Sequence, residues 1–286
     1  MARRKNTMTV LRTEKLGAHM VRVYLGGDGF DDFVPAQLDD AGAWDTDMYI
    51  KFIFAPDGVV IPDDFSPRAG RDMFAPHEQP VLRTYTVRRY DAANREIAVD
   101  FVVHGDEGIA GPWAASVQPG ASIDFFGPGS GYRPRADAPW HLFASDEAGL
   151  PAVAAALEAL PDDAIAKVFI EVAGPDDELD LTAPAGTEIT WVHRGGGSNE
   201  VADDAAGDNA PLIAAVRDAQ WLDGEPQVFI HGEAQAVMHN LRSYIRKERG
   251  VGAKNASISG YWRRGRTEEG FREWKAELKA AESAPA

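Results

Sequence analysis

The sequence predicts an α+β protein of two domains: an antiparallel β-barrel over residues 1–139, then an α/β domain with a parallel sheet over residues 140–286. Three observations predict it. At 286 residues the chain is long for one typical core and suits two. Up to about residue 139, apolar residues fall in short, often alternating runs separated by Gly, Pro, Asp and Asn, as in barrels and sandwiches. Beyond it, short apolar strands alternate with helical patterns, which predicts a parallel sheet of Rossmann type.

Taken in order, "HMVRVYLGG", "MYIKFIFAP", "TYTVRRY", "EIAVDFVVHG" and "ASIDFFGPG" are the barrel strands. "GPGSGYRPRADAP" reads as a linker, because its glycines and prolines break helix and strand alike. The second domain follows as "WHLFAS", "LPAVAAALEAL", "AKVFIEVA", "TEITWVHR", "PLIAAVRDAQWL", "QVFIHGE", "AQAVMHNLRSYIRKER", "ASISGYW" and "EEGFREWKAELKAA", strands and helices in turn. A long loop, "GGGSNEVADDAAGDN", interrupts this series and is expected to be mobile.

Composition narrows the function. The chain has no cysteine, which excludes disulfides, thiolate metal sites, cysteine nucleophiles and Cys-ligated clusters, so any redox role needs a bound organic cofactor. A formal net charge of −16 argues against nucleic acid or an anionic membrane as partner. No apolar segment follows "MARRKNTMTV", and no uninterrupted apolar run reaches about 18 residues, so a soluble, cytoplasmic protein without membrane insertion is expected. The acidic excess is uneven. From Arg242 to Lys279 the chain carries eleven Lys or Arg against five Asp or Glu, a basic island that is either a solvated face or an anion site.

The strand "LRTYTVRRY" sets three arginines into this acidic chain, and "RTYTV" resembles the Arg-x-Tyr-Thr/Ser signature of the ferredoxin–NADP reductase superfamily. "DFVVHGDEGIAGPWAASVQPG", "ASDEAGLPAV", "HGEAQAVMHNLRSYIRKERG" and "SGYWRRGRTEEGF" resemble, in order, segments of the siderophore-interacting proteins, FAD-dependent ferric-siderophore reductases. The resemblance implies a ferredoxin–NADP reductase-like fold with FAD between the domains. It implies electrons from NADPH, NADH or reduced ferredoxin passing to a ferric siderophore, with Fe(II) released for iron assimilation. A monomer is expected, with the flavin as redox agent, no catalytic side chain and no metal site.

The resemblance also assigns residues. Arg83 is the candidate for the FAD pyrophosphate, since a guanidinium presents a fork for two phosphate oxygens; a solvated barrel arginine is the alternative. Tyr85 and Thr86 are assigned to the flavin ring, although ideal alternation points them to opposite faces, so one acts through its backbone or a bulge re-aims it. Asp100, Val102 and His104 line the flavin edge. Gly111, Pro112, Trp113 and Ala114, at a helix start, offer a pyrophosphate cradle. In the second domain Asp146, Glu147, Gly232 and Glu233 fall where the nicotinamide nucleotide binds, and Arg194 where related reductases hold its adenosine end.

Asp146 and Glu147 would repel a pyrophosphate, so capping or shaping the pocket wall suits them better. Arg194 is equally readable as a capping or surface arginine. The family commonly has a Thr-Ala pair where this chain has Ala148-Gly149. Tyr261 or Trp262 is expected to close the cavity near the flavin. Arg272, Lys275 and Lys279 share one helical face and, with Lys51, are assigned to an anionic siderophore. Two other readings stand beside this one: a general NAD(P)H:flavin reductase for another acceptor, and a siderophore carrier without turnover.

Overall fold

The structure is a computed structural model describing residues 5–66, 73–106, 108–267, 270–271, 273–275 and 278. The chain forms two compact units. The first comprises Met1–Ala136, Pro151–Asp162 and Asp176–Pro184; the second comprises Asp137–Leu150, Asp163–Pro175 and Ala185–Ala286. The units thus interleave along the chain, where the sequence suggested a single cut near residue 139.

The first unit contains a closed barrel of six strands in the order β1-β2-β5-β4-β3-β6. These are β1 (Lys5–Lys15), β2 (Met20–Gly26), β3 (Tyr49–Phe54), β4 (Val81–Asp91), β5 (Glu96–Val102) and β6 (Ser122–Gly129), with every pair antiparallel. Five correspond to the expected runs. The sixth, β1, was hidden in "KNTMTVLRTEK", where only Met8 and Val10 are buried and polar residues dominate. Helix α1 (Ala110–Ser116) follows β5 and sends Trp113 among Phe52, Phe54 and Phe101 of the barrel interior.

The expected linker is partly strand and partly a packed return. Gly131 and Tyr132 donate their amides to Asp47 Oδ1, each at 2.9 Å, and Tyr132 is buried. A carboxylate that accepts two backbone N–H groups holds such a segment in place despite its glycines and prolines.

The second unit is built on five parallel strands in the order β11-β10-β7-β8-β9. They are β7 (His141–Asp146), β8 (Ile165–Val172), β9 (Gly186–His193), β10 (Gln227–Glu233) and β11 (Ala256–Trp262). Helix α2 (Leu150–Glu158) follows β7, and α3 (Pro211–Asp218) follows β9. The stretch after β10 winds as π-helix over Gln235–Leu241 and again over Tyr244–Glu248. One sheet face is covered by α3 and these segments around Leu142, Ala144, Val228, Ile230, Leu212, Val237 and Leu241. The loop between β9 and α3 carries two short 3₁₀ turns, Asp203–Ala205 and Gly207–Asn209. Strand order reverses between β7 and β10, and in open α/β sheets ligands bind outside the carboxyl ends at such a switch point.

Candidate functional site

In the barrel, β4 places its side chains by strict alternation. Phe52 pairs with Arg83, Ile50 with Tyr85 and Tyr49 with Thr86. Ile50 and Phe52 belong to the interior, so Arg83 and Tyr85 take that side while Lys51, Thr84 and Thr86 share the outer one. No register shift separates Tyr85 from Thr86; the β4–β5 shift lies at Val87/Arg89. Tyr85 is half-buried, its ring 4.3 Å from Phe101 and 6.0 Å from Phe52 between centroids. Thr86 is buried. The half-buried Arg83 guanidinium bonds the carbonyl of Leu82 at 2.8 Å.

The other arginines of the strand behave differently. Arg88 forks onto Glu158, and Arg89 is exposed with Asp91 3.8 Å away. Asp100 is held by Arg22 through bonds of 2.6 and 2.8 Å and its side chain is 2% exposed, so it supports the barrel wall and leaves the expected flavin edge to its neighbours. Val102 and His104 are half-buried where β5 ends. At Gly111 a Cβ would stand 3.1 Å from the carbonyl of Val102, so the start of α1 presses on that strand end. Pro112 and Ala114 continue the helix, Ala114 inward. A strand guanidinium, a part-exposed aromatic ring and a glycine-led helix start together fit the chemical parts of FAD. Lys51 is half-buried on the outer face, its Nζ 5.9 Å from the Tyr49 ring centroid.

In the second unit the strand ends gather charges into one small cavity, lined among others by Asp146, Glu171, Arg194, Glu233, Trp262 and Arg264. Asp146 closes β7. Its Oδ1 accepts the Ala148 amide at 2.9 Å, and its Oδ2 accepts the Glu233 amide at 2.8 Å and Trp262 Nε1 at 2.7 Å. Burial, reinforced by the charge of Glu147, pushes its pKa up to about 6. Glu147 receives a bidentate fork from Arg194 and accepts the Ala173 amide at 3.0 Å.

Glu171, at the end of β8, stands 3.6 Å from Arg194 and accepts the Leu212 amide at 2.9 Å, capping α3. Burial pushes it up to about 7. Burial opposes the charge of Arg194, yet its bonds with Glu147 hold its pKa above the ordinary value. Glu233 closes β10 and caps the first π-helical turn through the amides of Gln235 and Ala236, at 2.7 and 3.0 Å. Its other oxygen accepts Arg263 at 2.8 Å.

These contacts redefine several expectations. The side chain of Arg194 is 5% exposed and enclosed by carboxylates, so the adenosine-binding role expected of it is not the one its contacts serve. Gly232 does permit a close approach, but what approaches is the Asp146 carboxylate, 2.9 Å from a hypothetical Cβ. At Gly149 a Cβ would fall 2.6 Å from the His231 carbonyl and 2.7 Å from Ser145 Cβ. Trp262 is a wall of this cavity, while Tyr261 packs edge-on against His231, 4.8 Å between centroids. Burial, then the charge of Lys275, lowers His231 to about 3 and keeps it neutral.

Lys275 bonds the Gly260 carbonyl at 3.0 Å. Arg272 and Lys279 lie outside the described residues. Glu171 and Arg264 escaped sequence reading because nothing local marks them; "FIEVA" and "YWRRG" acquire meaning only when parallel register aligns the strand ends. Among the described residues no cluster of His, Asp and Glu could hold a metal, and no helix is long and apolar enough to cross a membrane.

Comparison with known proteins adds identity to this geometry. Residues 9–132 match the siderophore-interacting FAD-binding domain, and residues 138–265 the siderophore-interacting protein domain. The uncharacterized protein Rv2895c of Mycobacterium tuberculosis is 58% identical over 278 residues, 96% of this chain and 95% of that one. Ferric vibriobactin reductase ViuB of Vibrio cholerae is 30% identical over 265 residues, covering 92% and 91%. The crystal structure of a siderophore utilization protein from T. fusca superposes with a TM-score of 0.74 at 34% identity, covering 92% of this chain and 94% of that one. The ferredoxin reductase in carbazole 1,9a-dioxygenase shares the fold, with a TM-score of 0.61 at 18% identity over 90% of this chain and 69% of that one. With ferric reductases among its relatives and an FAD-binding barrel followed by a parallel α/β unit, this chain belongs to the siderophore-interacting protein family.

Proposed function

We propose that the protein is an FAD-dependent ferric-siderophore oxidoreductase of the cytoplasm. It takes electrons from NADPH, NADH or reduced ferredoxin and passes them to the Fe(III) of a bound siderophore. The observation that carries this reading is the match of both units to a family that includes ferric vibriobactin reductase, in a chain with no cysteine for an iron–sulfur cluster or a redox disulfide. When bound, FAD supplies two-electron acceptance and one-electron release, which reduction of Fe(III) requires.

The side chains of this protein bind and orient. Arg83 bonds the pyrophosphate, Tyr85 backs the ring, and the backbone of Thr86 with the strand end at Val102 and His104 borders it. Lys51 and the C-terminal cations Arg272, Lys275 and Lys279 attract an anionic iron complex. The barrel is the FAD-binding domain and the parallel-sheet unit receives the donor, with the protein acting as a monomer.

The test begins with the purified protein and added FAD. Stoichiometric yellow FAD binding, anaerobic bleaching by one of the three donors, and Fe(II) trapped from a ferric siderophore are expected. A protein that takes up no FAD ends this reading. One that binds FAD but reduces no ferric siderophore leaves only another acceptor.

A further inference from the structure

Two arginines line the strand-end cavity of the second unit, Arg194 and Arg264. Arg194 already forks onto Glu147, with Glu171 at 3.6 Å. The helix starts that could face a phosphate are capped by the chain's own Glu171 and Glu233. Arg264 differs. Its Nη2 donates to the Val201 carbonyl, while its Nη1 is buried, makes no hydrogen bond and stands 3.5 Å from Asp203 Oδ1.

Asp203 is fully exposed, and an ion pair with so exposed a partner contributes little. It sits on the loop of residues 195–210, which supplies Ser198, Val201, Ala205, Ala206, Gly207 and Ala210 to the cavity wall. That loop holds four carboxylates and no cation. A second of them, Asp208, accepts the side-chain amides of Gln235 and Asn240 at 2.9 and 2.8 Å. The loop therefore covers the switch point and sets its anions on the donor groups beside it.

We propose that Arg264 binds a phosphate group of the nicotinamide-nucleotide donor, and that the acidic loop guards it by holding Asp203 in the phosphate's place. This rests on the reductase reading and deepens it. A phosphate accepts two N–H groups from a guanidinium in fork geometry, which Asp203 at 3.5 Å does not achieve. Donor binding exchanges the weak pair for a strong one and displaces the loop. Asp203 and Asp208 thereby set donor affinity without touching the flavin.

Calorimetric titration of NADP⁺ and NAD⁺ into FAD-loaded protein tests this. The Asp203→Ala/Asp208→Ala variant is expected to bind about two- to fivefold tighter than the wild type, by removal of competing anions. Adding Arg264→Ala should cancel the gain. Unchanged affinity in the double variant, or a gain that survives Arg264→Ala, overturns the proposal. Reduction of the protein by dithionite, followed by oxidation with a ferric siderophore, bypasses the nucleotide and is expected to be equal in all variants. Failure of that step in the wild type strikes the reductase reading alone.

Discussion

Glu171→Gln should raise the stability of the protein at pH 8 and leave it nearly unchanged at pH 4.5. Glu171 is buried, and its folded-state pKa is raised from 4.5 to about 7, chiefly by burial. Between those values the folded state keeps a proton that the unfolded chain has released, so stability falls as pH rises. The contribution is complete below 4.5 and lost above about 7. At about 1.4 kcal/mol per pKa unit, the span corresponds to roughly 3 kcal/mol.

Glutamine keeps a carbonyl oxygen for the Leu212 amide and cannot ionise. Arg194 loses one distant carboxylate but retains its fork on Glu147. Scanning calorimetry of both proteins at pH 4.5, 6 and 8 measures the effect. For a chain of this size, about 3 kcal/mol corresponds to a melting shift of roughly 6 °C or more. Parallel profiles for the two proteins, or a variant less stable at pH 8, would refute the reasoning. Asp146 leaves a residual slope of the same sign, ending near pH 6.

Arg83→Ala should weaken FAD about ten- to a hundredfold, as expected for loss of a charge-assisted bond of roughly 1.5–3 kcal/mol, whereas Arg88→Ala should not; FAD occupancy at limiting flavin separates them. Trp262→Phe removes the indole donor from the buried Asp146 carboxylate, and a loss of about 1–3 kcal/mol in unfolding experiments is expected at pH 8. Asp100→Asn breaks a buried pair with Arg22, and destabilisation of about 3–5 kcal/mol should appear as a lowered melting temperature. Lys51→Ala with Lys275→Ala should raise the Michaelis constant for a tris-catecholate iron complex and leave that for small neutral acceptors unchanged. An unaltered constant at low salt would remove these lysines from the substrate site.

The fold was legible where burial is regular. Strands such as "MYIKFIFAP" and "QVFIHGE" declare themselves through continuous apolar character, and the change of period after residue 139 marks the second architecture. Strand β1 was not legible, because a half-exposed strand with two buried residues has almost no pattern. In the site, Asp146 was foreseeable as a local cap, since its partners lie two and three residues on. The enclosure of Arg194 was not. Its partners Glu147 and Glu171 come from other strand ends, and only the register of β7, β8 and β9 assembles them.

Gly149 bears on how this protein can be engineered. Replacing a glycine by alanine is a standard route to stabilisation. Here the added methyl would strike the His231 carbonyl at 2.6 Å, backbone that cannot swing aside as a flexible side chain could. The glycine and its local surroundings therefore belong together as a set. A redesign that changes position 149 alone breaks a matched pair, and the resulting misfit would lie directly beneath the turn that carries Asp146 and Glu147.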